Sequence, residues 1–142
     1  VVLARELTID EIAEIHRQVP QMPLEVFIHG AICVSYNGRC YASEVCYGRS
    51  ANRGECAQFC RMPYDLENER GDKLLTARYL LSMRDMNRTD QLEALLDAGV
   101  TSFKIEGRLK DVEYVKNVTA YYEDHPELLE DLTNKVKDIF IW

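Results

Sequence analysis

Apolar and polar positions alternate in blocks that divide the chain into short structural units. Val1–Ala4 is an apolar run closed by Arg5-Glu6 and reads as a buried strand. Thr8-Ile9-Asp10-Glu11 is a capping box. It opens a helix in which Ile9, Ile12, Ile15, His16 and Val19 recur at helical spacing until Pro20 and Pro23 stop it. Leu24–Ile28 is a second strand ending on His29-Gly30, and its period of two sends Glu25, Phe27 and His29 one way and Val26 and Ile28 the other. Asp65–Asp72 reads as a polar connector, and Leu80–Met83 as a third strand ended by Arg84-Asp85. A helix follows over 89–98, with Leu92, Leu95 and Leu96 inward and Gly99 as its stop. Thr101–Ile105 is a fourth strand running into Glu106-Gly107-Arg108, with Phe103 and Ile105 facing one layer and Lys104 and Glu106 the other. The spacing of Val112, Val115, Val118 and Tyr122 predicts a helix over 111–122. The segment 123–142 suits a packing helix entered through His125-Pro126 that buries Leu128, Leu129, Leu132, Val136 and Ile139.

This is the rhythm of an α/β protein with about four parallel strands. Each strand ends in polar groups: Arg5-Glu6, His29, Arg84-Asp85, and Glu106 with Arg108. In a parallel barrel such ends converge to build the active site, and in an open sheet they build its crevice. A complete barrel takes about 250 residues, so the expected architecture is a partial TIM-type (β/α) barrel over 1–122, with a C-terminal helical segment over 123–142. A small open sheet is the alternative. The half-barrel reads as a fragment of a longer protein, and its exposed parallel edges would favour pairing with a second copy.

Composition narrows the function. A 142-residue chain that is 46% hydrophobic can bury one modest core. The sequence has no apolar run of about 18 residues and no signal-peptide pattern at its start, so a soluble, cytoplasmic protein is expected. The net charge of −7 argues against coating nucleic acid by charge alone, yet its distribution is uneven. Between residues 39 and 61, Arg39, Arg49, Arg53 and Arg61 stand against Glu44 and Glu55, a net of +2, which leaves −9 elsewhere. The island is either a solvated loop face or a surface that balances thiolates and attracts an anion.

All five cysteines and four of the seven glycines lie between Glu25 and Tyr64, with a long Cys-rich loop over 31–64 following the second strand. Cys33, Cys40, Cys56 and Cys60 have gaps of six, fifteen and three residues, and Cys46 is left over. In a reducing compartment a dense group of this kind favours metal or catalysis over disulfides. Four thiolates hold an iron–sulfur cluster or tetrahedral zinc. The wide spacing suits the perimeter of a cubane, zinc remains the alternative, and unligated structural cysteines are a third reading. His29, four residues before Cys33, makes a Cys/His nucleophilic pair conceivable. Such a pair leaves the other thiols unexplained, and Ser35 and Ser43 have no acid–base partner at a recognised spacing.

The run Glu25-Val-Phe-Ile-His-Gly-Ala-Ile-Cys33, continued to Gly38-Arg-Cys40-Tyr-Ala-Ser43, resembles the signature of peptidase family U32, the collagenase-like proteases. Arg49-Ser-Ala-Asn-Arg-Gly-Glu-Cys-Ala-Gln-Phe-Cys-Arg61, Leu80-Leu-Ser-Met-Arg-Asp85 and Ser102-Phe-Lys-Ile-Glu-Gly-Arg108 extend the resemblance across residues 1 to about 122. It implies a TIM-type barrel core of which this chain is the second half. It also implies oxygen-independent hydroxylation of a tRNA uridine, a ribosomal RNA cytidine or a ubiquinone precursor. A [4Fe–4S] cluster on Cys33, Cys40, Cys56 and Cys60 and prephenate as hydroxyl donor are further implications. The run over 51–61 is similar to the ribosomal RNA type.

The expected function is thus iron–sulfur-dependent hydroxylation of an RNA base, with RNA as partner. Glu25, His29, Lys104 and Glu106 are the candidates to manage protons. Arg49, Arg53, Arg61, Arg84 and Arg108 are the candidates to contact anionic substrate. A buried ion-pair network holding strands in register is the competing role for Glu25, Lys104 and Glu106, and a hydrogen-bonded core residue is the competing role for His29. A collagenase-like peptidase and an inert zinc- or thiol-containing assembly module are the alternative functions.

Overall fold

The computed structural model describes residues 1–107, 109–123 and 138–141. Thr8 caps the first helix, α1 (Ile9–Gln18), through a capping box: its hydroxyl accepts from the Glu11 N–H while the Glu11 carboxylate accepts from the Thr8 N–H at 2.8 Å. One face of α1 carries Ile9, Ile12, Ala13 and Ile15, all packed in or against the core.

Strand β1 (Glu25–Gly30) alternates half-buried and buried positions, as the period of two predicts. Its partner β5 (Ser102–Glu106) runs parallel to it, in register from Glu25 opposite Ser102 to Gly30 opposite Glu106, with an irregularity between Phe27 and His29. The four-stranded sheet has the order β4, β1, β5, β6. Here β4 is Met86–Asn87, antiparallel to β1, and β6 is Asp138–Ile141, parallel to β5. Val26, Ile28, Phe103 and Ile105 form a core with Ile12 of α1 and with Leu92 and Leu95 of α3 (Leu92–Asp97). Tyr122 of α4 (Val112–Glu123) belongs to the same cluster.

The chain divides into two compact units, one of residues 1–32 and 85–142 that contains this sheet, the other of residues 33–84 that contains every cysteine. The second unit comprises the short helix α2 (Ala42–Tyr47), two 3₁₀ turns at Ala51–Arg53 and Phe59–Arg61, and a hairpin of β2 (Tyr64–Glu67) with β3 (Lys73–Arg78). The Asn68 side-chain oxygen accepts from the N–H groups of Arg70 and Asp72 to shape the hairpin turn, and Gly71 takes a positive φ of 83° within it.

The fold is α/β as expected, with parallel and antiparallel strands mixed, and the described residues contain no closed barrel. Several finer expectations are corrected. Val1–Ala4 makes a single parallel bridge, Val2 with Glu25, rather than a full strand. Leu80–Met83 is no strand: Leu80, Leu81 and Met83 are exposed, because an apolar run does not by itself secure a place in a core. The supposed connector at 65–72 is instead half of the β2–β3 hairpin. At the C-terminus Ile139 lies in β6, a strand where a helix was expected. Leu128, Leu129, Leu132 and Val136 fall outside the described residues.

Candidate functional site

In the first unit, the half-buried positions of β1 and the alternate positions of β5 bring Glu25, Phe27, Lys104 and Glu106 together. Lys104 Nζ is 2.8 Å from Glu25 Oε1, and the Ser102 hydroxyl donates to Glu25 Oε2 at 3.1 Å, so both carboxylate oxygens are engaged. Arg5 Nη2 is 2.7 Å from Glu106 Oε2. The Arg5 guanidinium lies 3.9 Å from the Phe27 ring centre, and Lys104 Nζ 5.6 Å from the same centre. The four charged side chains of the two pairs are 10–14% exposed. Each buried charge has an opposite charge beside it, which offsets the cost of leaving water.

His29 follows on the same strand. Its Nδ1 and the Tyr122 hydroxyl share a hydrogen bond of 3.2 Å, and the rings of Tyr114 and Tyr122 meet it edge-on. Burial pushes the imidazole below its ordinary pKa, opposed by the Asp85 carboxylate and reinforced by Lys110. Asp85 Oδ2 accepts from Tyr114 Oη at 2.6 Å and from Lys110 Nζ at 2.7 Å. Burial, and then the hydrogen bond to Asp85, push the Tyr114 phenol far up, so it remains a donor. Burial raises Tyr122 likewise.

Gly30 closes β1 at a φ of +115°, and a Cβ there would stand 2.5 Å from the Glu106 carbonyl oxygen. Only glycine lets the two strands approach at the end where His29 and Glu106 emerge.

Lys110, Tyr114 and Tyr122 were missed by the sequence reading as chemical groups. The one signal for them is the recurrence of Tyr114, Val118 and Tyr122 every fourth residue of α4, which places two phenols on one helical stripe. Arg5 and Asp85 were visible only as polar strand ends.

Among the described residues no disulfide joins the cysteines of the second unit; Cys33 and Cys46 are exposed, and Cys40, Cys56 and Cys60 are half-buried. Two hydrogen bonds stitch the Cys40 segment to the Cys56 segment: Asn52 Nδ2 donates to the Gly38 carbonyl at 3.1 Å, and the Ala57 N–H donates to the buried Ser43 hydroxyl at 2.9 Å. Gln58, at a positive φ of 57°, turns its N–H onto Cys56 Sγ at 3.4 Å. A thiolate or cluster sulfur takes hydrogen bonds of this kind. In donor type and in the cross-linking of their loops, these residues fit a thiolate-held cluster. Among the described residues no three His, Cys, Asp or Glu side chains stand together as a metal-holding group.

The arginines separate. Arg61 donates to the Ser82 hydroxyl at 2.9 Å and to the Met83 carbonyl at 2.6 Å, which ties down the 82–83 segment. Arg49, Arg53 and Arg84 are exposed on the same unit, and Arg108 lies outside the described residues.

The sequence profile of peptidase family U32 matches residues 1–139. The chain is 56% identical over 122 residues to the 23S rRNA 5-hydroxycytidine C2501 synthase of Escherichia coli, covering 86% of this chain and 18% of that protein. It is 38% identical over 128 residues to the tRNA hydroxylation protein P1 of Bacillus subtilis, covering 86% of this chain and 30% of that protein. A protein named collagenase from Porphyromonas gingivalis is 38% identical over 136 residues, covering 87% and 33%. The chain therefore spans a third or less of the length of these relatives. No solved structure matches it.

Proposed function

The chain belongs to peptidase family U32, and from that premise we propose that it is part of an enzyme that hydroxylates an RNA base. The observation that carries the reading is the 56% identity to a ribosomal RNA hydroxycytidine synthase, which runs through both the polar strand face and the cysteine unit. A [4Fe–4S] cluster held by Cys33, Cys40, Cys56 and Cys60 belongs to the proposal, with zinc as the alternative metal. When bound, the cluster would supply one-electron chemistry.

The chain's own residues would do the rest. His29, kept neutral by burial, is the group suited to accept a proton near neutral pH. Tyr122, kept protonated, offers a donor beside it, while the Tyr114 hydroxyl, also kept protonated, donates to Asp85. Glu25 and Lys104, locked to each other, and Glu106, locked to Arg5, would hold the floor of the site and its charge balance. Arg49 and Arg53 would meet RNA phosphate or the carboxylates of prephenate, the proposed hydroxyl donor, by charge-assisted hydrogen bonds.

Nucleoside mass spectrometry of ribosomal and transfer RNA tests this reading, in cells lacking the gene and in cells complemented with the full-length protein. The expected result is loss of one hydroxylated pyrimidine, restored by the parent protein and not by Cys56→Ala. Unchanged nucleosides together with cleavage of collagen-like peptides by the purified protein would overturn it in favour of the peptidase reading that the collagenase relatives suggest.

A further inference from the structure

The cysteine-bearing unit carries a surface of tyrosine and arginine that the thiols do not use. Charge partitions along the boundary of the two units. Residues 33–84 hold eight Lys and Arg against six Asp and Glu, a net of +2, while the remainder of the chain carries −9. Five of the eight tyrosines lie in the same unit, and Tyr36, at 70% exposure, is the most exposed large hydrophobic among them.

Local hydrogen bonds gather part of this set. The Arg39 N–H donates to the Tyr36 carbonyl at 3.1 Å, closing a turn through Gly38. Asn52 Nδ2 donates to the Gly38 carbonyl, joining that turn to the Ala51–Arg53 turn, which the Gly54 N–H closes on the Ala51 carbonyl. Arg39 and Arg53 each adjoin one partner of the linking bond, so two guanidiniums are carried on a joined pair of turns whose edge is Tyr36. The acid nearest in sequence, Glu55, is spent internally: its carboxylate accepts from the Ser50 N–H and its own N–H donates to the Ser50 carbonyl.

We propose that Tyr36, Arg39 and Arg53 form a docking surface for single-stranded RNA, the ring stacking on an unpaired base and the guanidiniums bonding adjacent phosphates. The inference rests on the RNA-hydroxylation reading and names the contact by which the strand is held. An exposed ring on a turn that carries one arginine and is joined to a turn that carries another is what a single strand needs: every base offers a π-face, and every linkage a phosphate. A base edge enclosed in a duplex offers no face to Tyr36. The positive charge on an otherwise acidic chain favours a polyanion over a typical protein surface.

The test uses the full-length protein and a short fluorescein-labelled oligouridine, with binding followed by anisotropy across a salt series. Tyr36→Ala is expected to weaken binding roughly five-fold or more, with Tyr36→Phe close to the parent. Removing both arginines (Arg39→Ala with Arg53→Ala) is expected to flatten the log–log salt slope by about 1.4, at about 0.7 per phosphate contact. Duplex RNA and polyglutamate serve as competitors and are expected to compete poorly. Parent-like binding by Tyr36→Ala and by the double variant would overturn the docking surface and leave hydroxylation standing. Equal competition by polyglutamate would overturn it in favour of an acidic protein partner. The predicted losses, seen with a protein that restores no hydroxylated nucleoside in cells, would keep the docking surface and remove the hydroxylation reading.

Discussion

Lys104 Nζ lies 2.8 Å from Glu25 Oε1 across the parallel pairing of β5 with β1, with both side chains nearly enclosed. The pair joins neighbouring strands at the face from which His29 also projects, so strand register and the charge of the site are set by one contact. Removing one member leaves the other buried without its main counter-charge, which costs about 3 kcal/mol or more. Glu25→Gln and Lys104→Met are each expected to lower the unfolding free energy measured in urea by that amount, with a correspondingly lower midpoint. Replacing both at once (Glu25→Leu with Lys104→Met) should recover most of the loss, because a buried pair contributes little over apolar residues of similar volume. Parent-like midpoints for both single variants would show that the pair does not hold the strands.

Burial of His29 sets a pH dependence whose sign follows from linkage. The folded state lowers the imidazole pKa, so the unfolded chain takes up the proton first as pH falls through its ordinary value of 6.5. Stability is therefore undiminished above that value and declines as pH falls below it, until pH passes the folded pKa and the slope ends. Thermal melts at intervals between about pH 7.5 and 5 check this. His29→Phe is expected to flatten the decline, whereas an unchanged slope would assign it to other groups.

The shared acceptor at Asp85 predicts a second network effect. Tyr114 Oη and Lys110 Nζ converge on one carboxylate oxygen, linking the start of α4 to the residue just before β4. Hydrogen bonds to a charged acceptor contribute about 1.5–3 kcal/mol each. Tyr114→Phe should lose an amount in the lower part of that range, and Asp85→Ala more, since it abandons both donors. In a double-mutant cycle of chemical denaturation, the loss at Tyr114 should largely vanish once Asp85 is alanine.

The elements legible in sequence were those whose signals are local. The Thr8–Glu11 box and the isoleucines of α1 gave the first helix nearly to the residue. The alternation from Glu25 to Gly30 announced which side chains face the site. The hairpin of β2 and β3 was hidden because Lys73–Arg78 is exposed on both faces and carries no buried period of two. Ile139 was drawn into a helix because four apolar residues at the end of a leucine-rich stretch look the same in either state. The partners Arg5 and Glu106 lie 101 residues apart, and His29 and Tyr122 lie 93 apart. Pairings at such separation are set by topology, and no local pattern states them.

The thiols provide a prediction that separates ligand from bystander. Anaerobic purification of the full-length protein is expected to give broad visible absorbance with about four irons and matching sulfide per chain, as a Cys₄-held [4Fe–4S] cluster requires. Cys56→Ala and Cys60→Ala should abolish the absorbance, whereas Cys46→Ala, at an exposed position of α2, should retain it. Stoichiometric zinc with no colour would instead favour the alternative metal.

Gly30 offers the sharpest steric test of the site's geometry. A methyl group there would stand 2.5 Å from the Glu106 carbonyl and 2.8 Å from the Glu106 Cβ, on a backbone whose φ of +115° strains any other residue. Neither the carbonyl nor the Cβ is a flexible tip that can swing aside, so β1 and β5 must part at this end. Backbone strain of about 1–3 kcal/mol adds to overpacking of similar size. Gly30→Ala is therefore expected to lower stability by about 3 kcal/mol or more and to pull Glu106 from Arg5. The companion substitution Gly71→Ala has a φ of +83° but nothing within 4 Å of its added methyl, so it should show the conformational strain alone. A Gly30→Ala loss no larger than that of Gly71→Ala would mean that the close approach of the two strands is not maintained in solution.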